Sequence, residues 1–147
     1  MKKMGRARSK SWGPQVAAAV LASLWLGGCG PERVTSLHSA AYLVCSFEVE
    51  TDYATVYDRI ALRARQRYAY INVPTHQGGV SADLFPESQS GTVTRWNSGG
   101  IGLRYRLSAQ IQAIDPTHTR VRLYAAGKSD RQEARLWGAW ANMSFED

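Results

Sequence analysis

The chain has 147 residues, 44% hydrophobic and 20% charged, and Lys+Arg 18 against Asp+Glu 12 gives a formal net charge of +6. The excess sits at one end: Lys2, Lys3, Arg6, Arg8 and Lys10 all precede the first acid, Glu32, and beyond residue 28 the balance is 13 basic to 12 acidic side chains. So balanced a remainder excludes nucleic acid as a partner, since phosphate-backbone binding rests on a concentrated excess of cations.

The N-terminus reads in three parts. The five cations form a positive region, and the uncharged run Val16–Leu26, "VAAAVLASLWL", follows them with 11 residues. That length suits the apolar core of a secretory signal and falls short of the roughly 20 residues a membrane-spanning helix needs. Leu26, Gly27, Gly28 and Cys29 then place a leucine, two small residues and a thiol in sequence. The segment resembles the lipobox signal of bacterial lipoproteins. The resemblance implies that Leu26, Gly27 and Gly28 are read by the lipoprotein signal peptidase. It also implies that Cys29 becomes the first residue of the mature chain, bearing diacylglycerol and an N-acyl chain, and that Gly30 after the cysteine directs the protein to the outer membrane, facing the periplasm. Ordinary secretion with a free Cys29 is the alternative, but no A-x-A-like site lies at the end of the apolar run. One acyl chain binds a bilayer only marginally, whereas two or three on one residue anchor it durably.

Cleavage at that point leaves 119 residues, enough for one compact domain. Cys45 would then be the remaining thiol, and its place in an alternating stretch marks it as a small buried hydrophobe rather than a nucleophile. Residues 29–41 lack periodicity and read as a lipidated tether reaching at most about 40 Å, with the domain proper over 42–147.

From Tyr42 to Glu50 the pattern has period two, with Leu43, Cys45, Phe47 and Val49 on the covered face of a strand. Thr51 or Asp52 caps a helix whose apolar side runs through Tyr53, Val56, Tyr57, Ile60 and Ala64. Arg59, Arg63 and Arg67 form another stripe, expected to face water. Short strands are predicted at 68–73, 80–85 and 91–96, bounded by Pro74, the pair Gly78 and Gly79, and Pro86.

The clearest pattern is 101–114, where Ile101, Leu103, Tyr105, Leu107, Ala109, Ile111 and Ala113 alternate with polar residues or glycine. After the turn "DPTH", Val121, Leu123 and Ala125 resume the alternation. A shared face pairs Ile111 with Leu123 and Ala113 with Val121, leaving the strand arginines on the outer side. A last helix is predicted from Ser129, with Gln132 completing a capping box. Ala134, Trp137 and Ala141 form one line on it, and Leu136, Trp140 and Met143 the next.

The order β-α-β-β-β-β-α predicts an α+β two-layer domain, an antiparallel sheet of about four to six strands with both helices on one face. This layout resembles the helix-grip folds, including small domains of lipoprotein subunits of the outer-membrane barrel assembly machinery.

No catalytic set emerges. His38, His76 and His118 lie in the tether, a loop and a turn, and read as solvated; no metal spacing or triad is present. Asp83 and Glu87 flank Pro86 without a measurable separation. The expectation is a non-enzymatic, membrane-anchored envelope protein that needs no cofactor beyond its acyl chains and interacts with an envelope protein partner through a sheet edge, the loops around Trp96 or the arginine face. The alternative is a carrier that holds a small apolar ligand between sheet and helices, lined by Tyr53, Tyr57, Tyr105, Trp137 and Trp140.

Overall fold

The computed structural model describes residues 30–69 and 71–143. The signal-like segment, with Leu26, Gly27, Gly28 and Cys29, lies outside them. Six strands form one antiparallel sheet in the order β1-β6-β5-β4-β3-β2: β1 Leu43–Val49, β2 Ile71–Val73, β3 His76–Phe85, β4 Ser90–Gly99, β5 Gly102–Asp115 and β6 His118–Ala125. Two long helices, α2 Tyr53–Arg67 and α3 Lys128–Asn142, cover one face, and a single turn, α1 Val34–Leu37, lies on the other. The domain is α+β with two principal layers, as the alternation and the helical stripes imply.

The core lies between the helices and the central strands. Leu107, Ala109 and Ile111 of β5, with Val121, Leu123 and Ala125 of β6, are buried against Val56, Tyr57, Ile60 and Ala64 of α2 and Ala134, Trp137, Trp140 and Ala141 of α3. Each fully buried Leu, Ile or Val contributes roughly 1.5–3 kcal/mol. Asp52 caps α2, its Oδ1 accepting from the Thr55 N–H at 3.0 Å, and those backbone N–H bonds hold its carboxyl below the usual range. The α3 cap differs from expectation: the helix starts at Lys128 on Gly127, with no side-chain cap, and Ser129 is its second residue.

Several expectations are corrected by local irregularities. A register shift in β1 between Leu43 and Cys45 leaves Leu43 exposed and lets Val44 pack on the core instead. The β5–β6 hairpin is one step tighter than the predicted pairing. Ile111 opposes Val121 and Ala113 opposes Thr119, because the chain turns through Pro116 and Thr117 and a bulge follows between Ala113 and Asp115. In β4–β5, Arg95 opposes Leu107 while Trp96 opposes Tyr105, so Arg106 is the additional residue of a bulge. A bulge re-aims side chains. Here it ends the alternation, and Tyr105 does not join the core. Gly78 and Gly79 lie inside β3 rather than before it.

Two members of the α2 arginine stripe reach α3, although Arg67 stays exposed to water as expected. Arg59 Nη1 donates to the carbonyl of Ala141 at 3.2 Å, supplying one of the carbonyls left over at the α3 C-terminus. Arg67 meets Glu133 through two bonds of 2.9 Å. Arg59 and Arg67 thus flank the α2–α3 seam.

The largest departure is residues 30–42. Instead of extending as a tether, they run against the outer face of the sheet. The Tyr105 N–H donates to the Pro31 carbonyl at 3.0 Å, Arg104 pairs with Glu32 at 2.6 Å, and Leu37 is fully buried. A Cβ on Gly30 would sit 2.3 Å from the Tyr105 carbonyl oxygen, so only glycine allows this approach. The packing against the sheet extends back to Gly30, the first described residue.

Candidate functional site

Three polar or concave regions stand out. The first joins the N-terminal segment to the outer face. His38 Nε2 lies 2.8 Å from Ser108 Oγ and its Nδ1 lies 2.9 Å from Gln110 Nε2; Ser108 Oγ reaches Thr94 Oγ1 at 3.0 Å, and Tyr124 Oη donates to Gln110 Oε1 at 3.0 Å. With Tyr124 donating to Oε1, the Gln110 amide nitrogen donates to Nδ1. The imidazole proton then sits on Nε2 and points at Ser108. A serine beside a donating histidine is not activated, and Ser108 has no solvent exposure. Burial pushes the His38 pKa down, consistent with a neutral ring that clasps the segment to β5. His38 is therefore half-buried and bonded on both nitrogens, not solvated in a tether.

The second region is a charge cluster where α2 ends and α3 begins. Asp130 is 2% exposed and is met by Arg106 Nη2 at 2.8 Å and Arg95 Nη1 at 3.5 Å. The bulge aims Arg106 here, and Gly127 leaves room for it: a Cβ there would lie 3.1 Å from Asp130 Oδ2 and 3.2 Å from Arg106 Nη2. One turn further on, Glu133 accepts from Arg67 and from the Tyr68 hydroxyl, and the Arg67 bonds lower its pKa. Burial, then the bond to Glu133, raise the Tyr68 pKa. The Arg95 guanidinium also lies 4.6 Å from the centre of the Tyr68 ring, a cation–π contact.

Beside this cluster opens the third feature, a cleft of about 430 Å³ between the end of α2 and strands β3 and β4. Tyr68, Trp96 and Arg95 wall it, and Gly78 and Gly79 lie along β3 beneath them. Both arginines that reach it, Arg67 and Arg95, already face carboxylates. The cleft therefore offers aromatic surface with a charge-balanced rim, which suits an apolar or aromatic group better than an anion. Next to it β3 loses its outer neighbour: among the described residues β2 pairs with His76, Gln77 and Gly78, and no described strand pairs with the edge from Val80 to Phe85. That edge ends in Leu84 and Phe85, both exposed.

The proposed lining residues part company. Tyr57, Trp137 and Trp140 are buried in the core and Tyr53 packs against it, whereas Tyr105 does not. Trp137 stacks on Trp140 at 6.1 Å, and a Cβ on Gly138 would meet Leu123 and Phe47 at ordinary contact distance, so the seat does not require glycine there. Ala109, Ala125, Ala134 and Ala141, all fully buried, serve as a close seat for the helices. His76 opens β3 and is exposed. His118 bonds Asp115 within the β5–β6 turn at 2.9 Å, and backbone bonds from Thr117 hold Asp115 at a pKa of about 2. Asp83 opposes Thr92, while Glu87 follows in a short turn. No group of three or more potential metal ligands occurs among the described residues, and no helix among them is long and apolar enough to cross a membrane. Cys45 is half-buried with its pKa raised by burial, unlike a reactive thiol. A smaller groove of about 200 Å³ on the outer face is bordered by Arg120, Arg122 and Phe85.

Sequence reasoning missed Asp130, Glu133 and Tyr68. Asp130 and Glu133 read as ordinary helix-surface acids because their partners come from distant strands and the other helix. The chain matches no protein-family model, and no curated protein is significantly similar to it.

Proposed function

We propose that the chain is a cell-envelope lipoprotein, anchored through acylated Cys29 in the outer membrane and facing the periplasm, whose domain is a non-enzymatic interaction module. Its partner is an extended segment of another envelope protein, added as a strand to β3, with an apolar side chain seated between Tyr68 and Trp96. The observation that carries this reading is the edge from Val80 to Phe85, open among the described residues, which starts beside the cleft and finishes on exposed Leu84 and Phe85. Unpaired edges are templates for another strand, and proteins that have no use for them usually block them with charge or proline. Within Gly79–Phe85 only Asp83 is charged. The anchor rests on the order of cations, apolar run, small residues and Cys29. A helix-grip-type envelope domain accords with the layout of sheet and helices.

The test is a photoreactive amino acid at Ser81, on the edge, and another at Arg122, on the outer face, each in the full chain in its own membranes. An adduct at Ser81 that is absent at Arg122 and abolished by Leu84→Lys with Phe85→Lys is expected. Equal labelling at both positions, or an adduct indifferent to the lysines, refutes strand addition. Cys29→Ser should release the chain from membranes and block its processing; if it stays membrane-bound at the wild-type mass, the anchor assignment is wrong.

A further inference from the structure

The two ends of the sheet differ in chemistry. Glu48, Asp83, Glu87 and Asp115 belong to the end where β1, β3 and β5 finish. At the other end, the β2–β3 and β4–β5 turns lie side by side: a Cβ on Gly99 would be 3.5 Å from His76 Nε2 and 3.6 Å from the Thr75 carbonyl. No acid occurs between Asp58 and Asp83, or between Glu87 and Asp115, so both hairpin tips are free of negative side chains. The acids of α3 and of the N-terminal segment that approach this end, Asp130, Glu133 and Glu32, are each paired with arginine. The tips expose apolar side chains instead: Ile101 is 63% exposed, Val73 46% and Leu103 41%.

The N-terminal segment arrives at this same end. Pro31 bonds to Tyr105 and Glu32 to Arg104, two and one residues along β5 from Leu103. Gly30 touches the Tyr105 carbonyl, and Cys29 is one peptide bond away. Two residues of strand span about 7 Å. The residue assigned to carry the acyl chains is thus covalently tied to a point within about that distance of Leu103 and, four residues away, about 13 Å of Ile101.

We infer that the β4–β5 hairpin, through Ile101 and Leu103, is a second membrane contact, inserted among the lipid headgroups beside the acylated N-terminus with the neighbouring Val73 turn. The inference rests on the anchor reading above and adds an orientation to it. Apolar side chains at such a depth are favoured by transfer out of water, Arg104 and Arg106 nearby are already neutralised by Glu32 and Asp130 and so leave the tip without excess charge, and the acidic end points away from the bilayer.

The experiment uses the full chain, processed and purified from its own membranes, carrying Cys45→Ser and either Ile101→Cys or Glu87→Cys. Each is labelled with an environment-sensitive fluorophore and reconstituted into vesicles of phosphatidylethanolamine and phosphatidylglycerol with brominated acyl chains. A blue-shifted emission quenched by the brominated lipid at position 101, with neither effect at position 87, is expected. Position 101 behaving like position 87 while the chain co-floats with vesicles overturns the hairpin contact and leaves the anchor standing. A chain that does not co-float, with Cys29 unmodified by mass, overturns both. Val73→Cys, labelled the same way, is a second reporter should Ile101→Cys disturb the turn: quenching there supports the contact, and a water-like signal there refutes it.

Discussion

Leu37→Ala is the sharpest test of whether residues 30–42 belong to the folded unit. Leu37 is fully buried on the face opposite the two long helices, and it is the one buried hydrophobic residue of the α1 turn. Burying a leucine is worth roughly 1.5–3 kcal/mol, and truncation to alanine in a core costs about 2–5 kcal/mol once the cavity is included. A single helical turn on an outer face can settle partly into the vacated space, which places this site near the low end, about 2–3 kcal/mol. For a domain of this size that corresponds to a fall in Tm of about 8–15 °C. Urea unfolding of the chain lacking the first 28 residues reads it directly: the midpoint should fall with the slope unchanged. If the midpoint moved by less than about 0.5 kcal/mol in equivalent stability, the segment would be outside the cooperative unit. Hydrogen exchange at the Tyr105 amide separates that outcome from global loss, since this N–H is bonded to Pro31 and reports local release of the segment.

Gly30→Ala should displace the segment, because its Cβ would lie 2.3 Å from a backbone oxygen; a loss of about 1–3 kcal/mol and faster exchange at Tyr105 are expected, and unchanged exchange would show that the approach is not so close. Asp130→Asn leaves Arg95 and Arg106 facing each other without a counter-charge. Breaking a fully buried pair costs about 3–5 kcal/mol, but both arginines keep some contact with water, so about 1–2 kcal/mol is expected in urea unfolding, and no change would deny the cluster a structural role. His38 makes stability pH-dependent. Its folded pKa lies below the ordinary 6.5, so the unfolded chain binds the proton first; its contribution is intact above about pH 6.5 and is lost as pH falls through the folded value. The difference in stability between wild type and His38→Gln should therefore change between pH 7.5 and 5. A constant difference would mean that the ring does not titrate in that range.

The pattern of hydrophobic residues carried most of the architecture. Alternation marks β5 because Leu107, Ala109 and Ile111 are covered by the helices, and the spacing of Val56, Ile60 and Ala64 marks α2 for the same reason. What escaped reading depends on contacts far apart in sequence. Arg106 is a bulge residue, yet "LRYRL" keeps perfect alternation, with no glycine to betray it. Residues 30–42 show no period because a strap buries single residues, Leu37 above all, rather than a face. The start of β3, "HQGG", reads as a turn by composition, and its strand conformation comes from pairing with β2 and β4. The α3 partners of Arg59 and Arg67, the Ala141 carbonyl and Glu133, escaped reading because they lie on a helix some 70 to 80 residues later. The cleft was foreshadowed only by Trp96; Tyr68 and the two glycines of β3 meet it through the sheet.

The packed N-terminal segment changes what an anchor at Cys29 can do. A free tether of a dozen residues would reach about 40 Å and let the domain turn in any direction beneath the membrane. With Gly30 held on β5, that slack is absent, and any force or orientation imposed at the anchor passes straight into the central strand. On the proposed orientation the β3 edge would run from tips at the membrane toward the acidic end, so a partner strand added there would lie at a defined angle to the bilayer. Release of the His38 clasp at acid pH would restore part of the tether, and with it the freedom to reach further from the membrane.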